Sequence, residues 1–354
     1  MMGTVMRAAR AALAIVCAAG ALAWPARPAQ ADDVLHVLGA SNAAGAFEVL
    51  DHVADLAGYF KQEHLIVDKQ YISPGTAAQL VASGKADICS VAFEAIVQGY
   101  VHGLKLKYFL GSDPRFVNVM GAPESSPVKT LADFKGQDIG EASPASPAET
   151  TANAMLAGAG LKRSDYNYVT IGFGAQALAA QTSGKVAGAV LPYGEFVLES
   201  VNGNVKFRIF RDPILNDIGT YGFAATEATI ATRGDVLRRY SRAIVKASIL
   251  IRENPQLAAK YFLEGAGAKV TDQALANEVQ VLKLETGDLM GVDPQSKAIG
   301  LMPLRGMDVY TKFLADTGVT PTRVAASLVV TNELVPYAND FDHKAFAAYV
   351  KRLH

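Results

Sequence analysis

Cysteine is nearly missing from this chain of 354 residues, which has only Cys17 and Cys89. Cys17 falls in an N-terminal apolar stretch, so Cys89 is left without a partner for an intramolecular disulfide. It sits in the apolar run Ile88-Cys89-Ser90-Val91 and reads as a buried strand thiol. A catalytic thiol would want a cation or a histidine beside it, and none is adjacent in sequence. A strong charge of either sign is also lacking, since Lys and Arg number 33 against 34 Asp and Glu. That balance suits a soluble protein and argues against a nucleic-acid partner. Beyond residue 31 there is no apolar run long enough to span a bilayer. The six histidines, His36, His52, His64, His102, His343 and His354, form no HExxH or other metal-ligand spacing. GxSxG, Walker and GxGxxG signatures are absent. Nothing here pairs a nucleophile with a base, so neither an enzyme, a cofactor nor a metal is expected.

What the N-terminus does have is the anatomy of an export signal. Arg7 and Arg10 give a positive start, Ala11 to Ala23 an apolar run too short for a comfortable span, and Trp24, Pro25 and Pro28 a break. Ala29-Gln30-Ala31 is a small-x-small site, so cleavage is predicted after Ala31 and periplasmic localisation follows. An uncleaved anchor and a lipoprotein are the competing readings. The residues Ala14-Ile15-Val16 before Cys17 do not make a lipobox.

The tripeptide Ser-Gly-Lys occurs at Ser83-Gly84-Lys85 and again at Ser183-Gly184-Lys185. Each copy follows an Ala-rich helical stretch and precedes a short apolar run that ends at an aromatic, Phe93 or Tyr193. One supersecondary unit used twice predicts two similar lobes with a cleft between them, a place to hold a small molecule. The flanking pattern alternates strands (Val34–Leu38, Leu65–Ile72, Ile88–Val91, Leu106–Leu110) with helices (from about Ala44 to Gln62, after Ser73-Pro74-Gly75-Thr76, and Phe93–His102). Such alternation predicts an α/β fold with mostly parallel sheets. Gly121 to Pro127 has loop composition and is read as a crossing between lobes. Gln137–Gly140, Val169–Ile171 and Lys206–Phe210 continue the strands of the second lobe. Tyr221–Thr226 returns the chain to the first. From Gly234 the pattern is helical, and this third is expected to pack on the first lobe. The expected division is residues 32–121 with 221–354, and 122–220.

Small hydroxyl residues gather at the strand-to-helix junctions: Ser41-Asn42, Ser73 to Thr76, Ser90 to Phe93 and Ser143 to Ser146. In open α/β sheets these junctions line the ligand crevice. Free N–H groups at a helix start can hold an anion there. Each hydroxyl could equally be an N-cap and nothing more. Phe47, Phe93, Phe173, Tyr193 and Tyr221 lie beside junctions, either as ligand platforms or as core packing. Tyr193, after Leu191-Pro192, is the aromatic favoured for ligand contact. Glu141, at a strand end after Ile139-Gly140, could accept from an amino group or could be an exposed loop charge. Arg115 could clamp a carboxylate or sulfonate, or form a surface ion pair.

Four stretches together resemble the periplasmic solute-binding proteins of ABC importers, of the nitrate, sulfonate and taurine type that includes binders of thiamine-pyrimidine precursors. They are VADLAGYFKQEHLIVD from Val53, the repeat at Leu80–Asp87 and Leu178–Ala187, KTLADFKGQDIG from Lys129, and ASPASPAETT from Ala142. The resemblance implies a type II periplasmic-binding fold with two lobes, two crossovers near Gly121 and Asp217–Thr220, and closure over ligand. It implies ligand contacts at Ser41, Asn42, Ser73, Thr76, Ser90, Phe93, Ser143, Ser146 and Tyr193. Ala145 stands where the family usually has Gly, and Ala187 where the first copy has Asp87. The fungal pyrimidine synthases share the fold, but their Cys-rich motif is absent. The expectation is a monomeric receptor that delivers a small organic anion (a sulfonate, a taurine-like compound or an aromatic carboxylate) to a membrane permease. A pyrimidine or other amine-bearing heterocycle is the alternative ligand, and a synthase on the same fold the alternative function.

Overall fold

The computed structural model describes residues 32–39, 49–113, 118–144, 146–211, 221–285 and 298–354. Chain order begins with β1 (Asp33–Gly39), α1 (Val49–Leu56), α2 (Tyr59–Gln62), β2 (Leu65–Tyr71), α3 (Pro74–Ala82), β3 (Ile88–Ala92), α4 (Phe93–Val101) and β4 (Leu106–Asp113). It continues with β5 (Asn118–Pro123), β6 (Asp138–Glu141), α5 (Pro147–Gly158), β7 (Asn167–Thr170), α6 (Ala175–Thr182), β8 (Gly188–Pro192), α7 (Tyr193–Gly203) and β9 (Phe207–Phe210). The last stretch is β10 (Tyr221–Thr226), α8 (Glu227–Thr232), α9 (Gly234–Glu253), α10 (Pro255–Gly265), α11 (Asp272–Glu285), α12 (Leu304–Asp316), α13 (Ala326–Val329), α14 (Val335–Ala338) and α15 (His343–Val350).

Two five-stranded sheets result, ordered β2-β1-β3-β10-β4 and β7-β6-β8-β5-β9. Each has one antiparallel strand in the same place: β10 between β3 and β4, and β5 between β8 and β9. The sheets are therefore mixed, and the odd strands are those that follow each passage from one sheet to the other. The first passage lies between Asp113 and Asn118, earlier than the expected Gly121. Gly121 is inside β5, paired with Ala189 and Ile209. A Cβ there would stand 2.6 Å from Phe196 Cε1, so a glycine that looks like a loop residue is a packing requirement. Asp217–Thr220, the other expected crossover, lies outside the described residues.

The repeat is confirmed in detail. Gly84 and Gly184 both take left-handed φ, 75° and 76°, after α3 and α6. Ser83 and Ser183 each turn a hydroxyl back to a carbonyl three residues earlier, at Leu80 and Ala180. Asp87 N–H bonds the His36 carbonyl, and Ala187 N–H bonds the Asp138 carbonyl, at 2.9 Å each. Lys85 and Lys185 are exposed, as expected for charges near helix ends. At Asp87 the copies diverge. Its carboxylate takes the His36 N–H at 2.8 Å and pairs with Arg233, which also donates to the Val34 carbonyl. Asp87 thereby ties β1 to the start of α9.

Alternating side chains fill both faces of each sheet. On one face of the first sheet, Leu35, Val37 and Ile88 join Leu237, Tyr240, Ile244 and Leu250 of α9 in one core. On the other, Cys89 and Val91 meet Met307, Tyr310 and Leu314 of α12. The C-terminal helices thus cover the first sheet, as their apolar stripes predict. In the second sheet Met120, Ile139 and Val190 face α5, while Val119, Ala189 and Leu191 face α6 and α7. One helix of the C-terminal third also reaches the second lobe. Asn277 of α11 donates to Asn202 Oδ1 of α7 at 3.2 Å.

Candidate functional site

The carboxyl edges of the parallel strands bring the predicted junctions into two rows. In the first sheet, Gly39 is in register with both Tyr71 and Ser90. Ser73 and Thr76 follow from the β2 end. In the second sheet, Glu141 is in register with Thr170 and Val190, and Tyr193 follows from the β8 end. Ser41, Asn42 and Arg115 lie outside the described residues.

Ser73 is exposed and occupies the N-cap of α3, yet its side chain makes no capping bond. Its hydroxyl instead meets the Thr76 hydroxyl at 2.8 Å. This leaves a helix start free of its own cap, the arrangement that suits an anion. Ser90 has no exposed surface, and its Oγ has no hydrogen-bond partner. Tyr221 OH donates to the Ser90 carbonyl at 3.2 Å. Ser146 takes the simpler of its two roles, since its Oγ caps α5 by accepting from Glu149 N at 3.3 Å. Ser143 is exposed.

Phe93 is a correction. It is fully buried between Tyr108 and Tyr310, with ring centroids 5.6 and 5.8 Å away, and belongs to the core under α12. An aromatic at the first position of a helix looks alike in sequence whether it faces a cleft or a core. Beside it Glu94 is buried and accepts from Tyr310 OH at 3.1 Å. Burial pushes its carboxyl up from the ordinary range.

Tyr193, half-buried at the first position of α7, lies under the Arg211 guanidinium at 4.5 Å from its ring centre. Arg211 was not anticipated, although a cation directly after a strand of the second lobe was there to be read. Phe173, between the left-handed glycines Gly172 and Gly174, is 55% exposed at the β7 end of this sheet. Gly174 N–H donates to Glu195 Oε2 of α7 at 3.3 Å, which ties the Phe173 loop to the helix that begins at Tyr193. The exposed ring, the half-buried tyrosine and the guanidinium therefore sit on neighbouring elements.

Glu141 is not an exposed loop charge. It is 3% exposed, and its Oε2 is buried without a partner. Burial raises its pKa, the nearby Glu149 raises it further, and Arg163 opposes both. Arg163 is engaged elsewhere, donating to the Tyr166 carbonyl at 2.9 Å and lying over the Tyr166 and Tyr168 rings.

His36, His52 and His64 lie on the first lobe. His36 is exposed and meets Asp68 at 3.1 Å, and His64, at the amino end of β2, lies 3.4 Å from Asp32. His52 bonds Tyr71 OH, and its pKa is lowered to about 4 by burial and the neighbouring Lys69, against the pull of Asp51. The Cys89 thiol is buried and pushed up to about 12. Among the described residues, no three His, Cys, Asp or Glu side chains are placed to hold a metal ion, and no helix is long and apolar enough to cross a membrane.

The NMT1/THI5-like family model matches residues 51–258. No curated protein is significantly similar in sequence. Among solved structures, a protein of Bordetella bronchiseptica RB50 is similar at TM-score 0.65 and 24% identity, covering 87% of this chain and 97% of its own. The periplasmic aliphatic sulphonate binding protein SsuA of Escherichia coli has TM-score 0.65 and 17% identity, covering 85% of this chain and 92% of its own. The alkanesulfonate-binding protein SsuA of Xanthomonas axonopodis pv. citri, bound to MOPS, has TM-score 0.61 and 15% identity, covering 85% and 99%. The architecture is the type II periplasmic-binding fold.

Proposed function

We propose, for a chain that belongs to the NMT1/THI5-like family, that it is the periplasmic receptor of an ABC importer and captures a small organic anion. The carrying observation is Arg211 over Tyr193 at the carboxyl edge of the second sheet. A guanidinium offers a planar fork to a sulfonate or carboxylate, and the aromatic rings of Tyr193 and the exposed Phe173 suit an organic body. The uncapped start of α3, with Ser73 and Thr76, supplies the matching anion-tolerant face in the first lobe. Solved neighbours that bind alkanesulfonates support the same class.

In this reading residues 1–31 direct export and are removed after Ala31. The mature chain acts as a monomer. Ligand selects the closed arrangement of the two lobes, and that arrangement docks on a membrane permease. Calorimetry and small-angle scattering of the protein with organic sulfonates and carboxylates test it. Saturable binding with a fall in radius of gyration is expected. Arg211→Gln and Tyr193→Ala are each expected to weaken binding by about tenfold or more, in line with ~1–3 kcal/mol for a charged or aromatic contact. Binding unaffected by both substitutions, or no compaction with any bound anion, refutes the assignment.

A further inference from the structure

Phe173 exposes 55% of its surface, the largest fraction of any large apolar side chain among the described residues. It stands between Gly172 and Gly174, whose φ angles of 69° and 65° are both left-handed. Gly174 adds a ψ of −137°, a combination that a Cβ disfavours. Two permissive glycines around an exposed ring give the backbone itself little reason to hold one arrangement. The restraint comes from another helix. Gly174 is the N-cap of α6 and brings no capping side chain, and its N–H donates to Glu195 Oε2 of α7 at 3.3 Å. Burial pushes the Glu195 carboxyl up and the Gly174 bond opposes that shift, so a half-buried acid is kept here at a cost.

The fold does not require this contact. The repeat runs at an offset of one hundred residues, from Ser83-Gly84-Lys85 to Ser183-Gly184-Lys185. The same offset sets Ser73 against Phe173, Pro74 against Gly174 and Ala95 against Glu195. Pro74 has no N–H to give and Ala95 no side-chain oxygen to receive one, yet α3 packs with α4 as α6 packs with α7. Helix packing therefore does not explain Glu195. What differs in the second lobe is the exposed ring. Ile171, just before the Phe173 loop, lies in the apolar layer under α6 and α7, and Val169 and Tyr193 pack against the same layer. The loop thus follows a strand end on the face that carries Tyr193, over which Arg211 lies.

We propose that Glu195 is a positioning residue of the receptor: through the Gly174 N–H it holds the Phe173 ring beside Tyr193, where the ring meets the body of the ligand. The proposal rests on the receptor reading above. Glu195 itself touches no ligand and acts through the loop. Its effect on binding therefore grows with the apolar surface that a ligand offers to the ring.

The test is calorimetry of two matched pairs, methanesulfonate with benzenesulfonate and acetate with benzoate, on the wild type and on Phe173→Ala, Glu195→Ala, Glu195→Gln and the double Phe173→Ala, Glu195→Ala variant. Phe173→Ala, which truncates an exposed ring and leaves the core alone, is expected to weaken the aromatic member of a pair by about tenfold. Glu195→Ala is expected to cost about as much, and in both variants the loss for the aromatic member should be roughly five or more times the loss for the small one. The double variant should bind no worse than either single one, because both remove the same contact. Glu195→Gln keeps an acceptor oxygen for Gly174 and should recover most of the wild-type affinity for the aromatic member. Amide hydrogen exchange supplies a readout without ligand, since Gly174 should lose protection in Glu195→Ala and keep it in Glu195→Gln. Equal losses for small and aromatic members in Glu195→Ala, additive losses in the double variant, or aromatic binding that survives Phe173→Ala overturns the assignment and leaves the receptor reading intact. If the wild type binds none of the four anions, the organic-anion reading itself falls and this inference falls with it.

Discussion

At the residue scale, a methyl group on Gly188 would stand 2.5 Å from the Gly121 carbonyl oxygen, and backbone cannot move aside as a side chain can. Gly188→Ala is expected to destabilise by about 2 kcal/mol, read from urea unfolding, because overpacking of a tight site typically costs ~1–3 kcal/mol. Cys89 should resist thiol reagents in the native protein and react only as urea opens the first sheet, since its thiol is buried and pushed up to about 12. Two other groups link stability to pH in opposite senses. Glu199, buried against Gln181, is raised to about 7 by desolvation first and by Glu195 as well. The unfolded chain ionises it earlier, so its contribution is full at low pH and is lost as pH rises through about 7. Glu199→Gln should therefore stabilise more at pH 8 than at pH 4. His52, lowered to about 4, does the reverse, and stability is lost as pH falls from about 6.5 toward 4. His52→Gln should flatten that acid limb in thermal melts. At this scale the sequence was legible in kind and not in direction. A charge at the Glu141 strand end stood out, but its burial depends on the α5 face. Phe93 looked like Tyr193 because the repeat gives both the same offset, and only the neighbours Tyr108 and Tyr310 separate them.

At the scale of elements, the repeated helix-turn-strand unit was readable because its signals are local: an Ala-rich helix, a left-handed glycine and an apolar run. Helices of the C-terminal third were readable for the same reason, from stripes such as Val236, Leu237, Tyr240 and Ile244. The helix expected over 44–62 is interrupted at Gly58, whose φ of 72° turns the chain between α1 and α2. β5 was missed. Its residues Asn118–Pro123 carry Gly and Pro, and the partners that make them a strand, β8 and β9, are distant in sequence. The asymmetry at Asp87 belongs to this scale. Asp87→Ala is expected to destabilise by about 2–3 kcal/mol in urea unfolding, because it strands Arg233 and the His36 N–H together. Ser146→Ala, which removes only the α5 cap, should cost about 1 kcal/mol.

For the whole molecule, binding and stability are linked. A ligand at a hundred times its Kd should raise unfolding free energy by about 2.7 kcal/mol, and the rise should track affinity across any panel. Thermal melts with and without the organic sulfonates and carboxylates check this directly. The two-lobed plan was legible from duplication and from resemblance together. The placement of β10 between β3 and β4 was not, since antiparallel insertion leaves no periodic trace. That placement sets an order of events during synthesis. Strands β5 to β9 are contiguous in the chain, so the second sheet can be completed from local material. The first sheet cannot close until Tyr221 arrives to pair with Ala92 and Asp113. Until then β3 and β4 have no bridge between them, and their unpaired backbone is what holdase chaperones and aggregation compete for. The later-made lobe is thus the one positioned to fold first, and the lobe begun at the N-terminus is the last to be sealed.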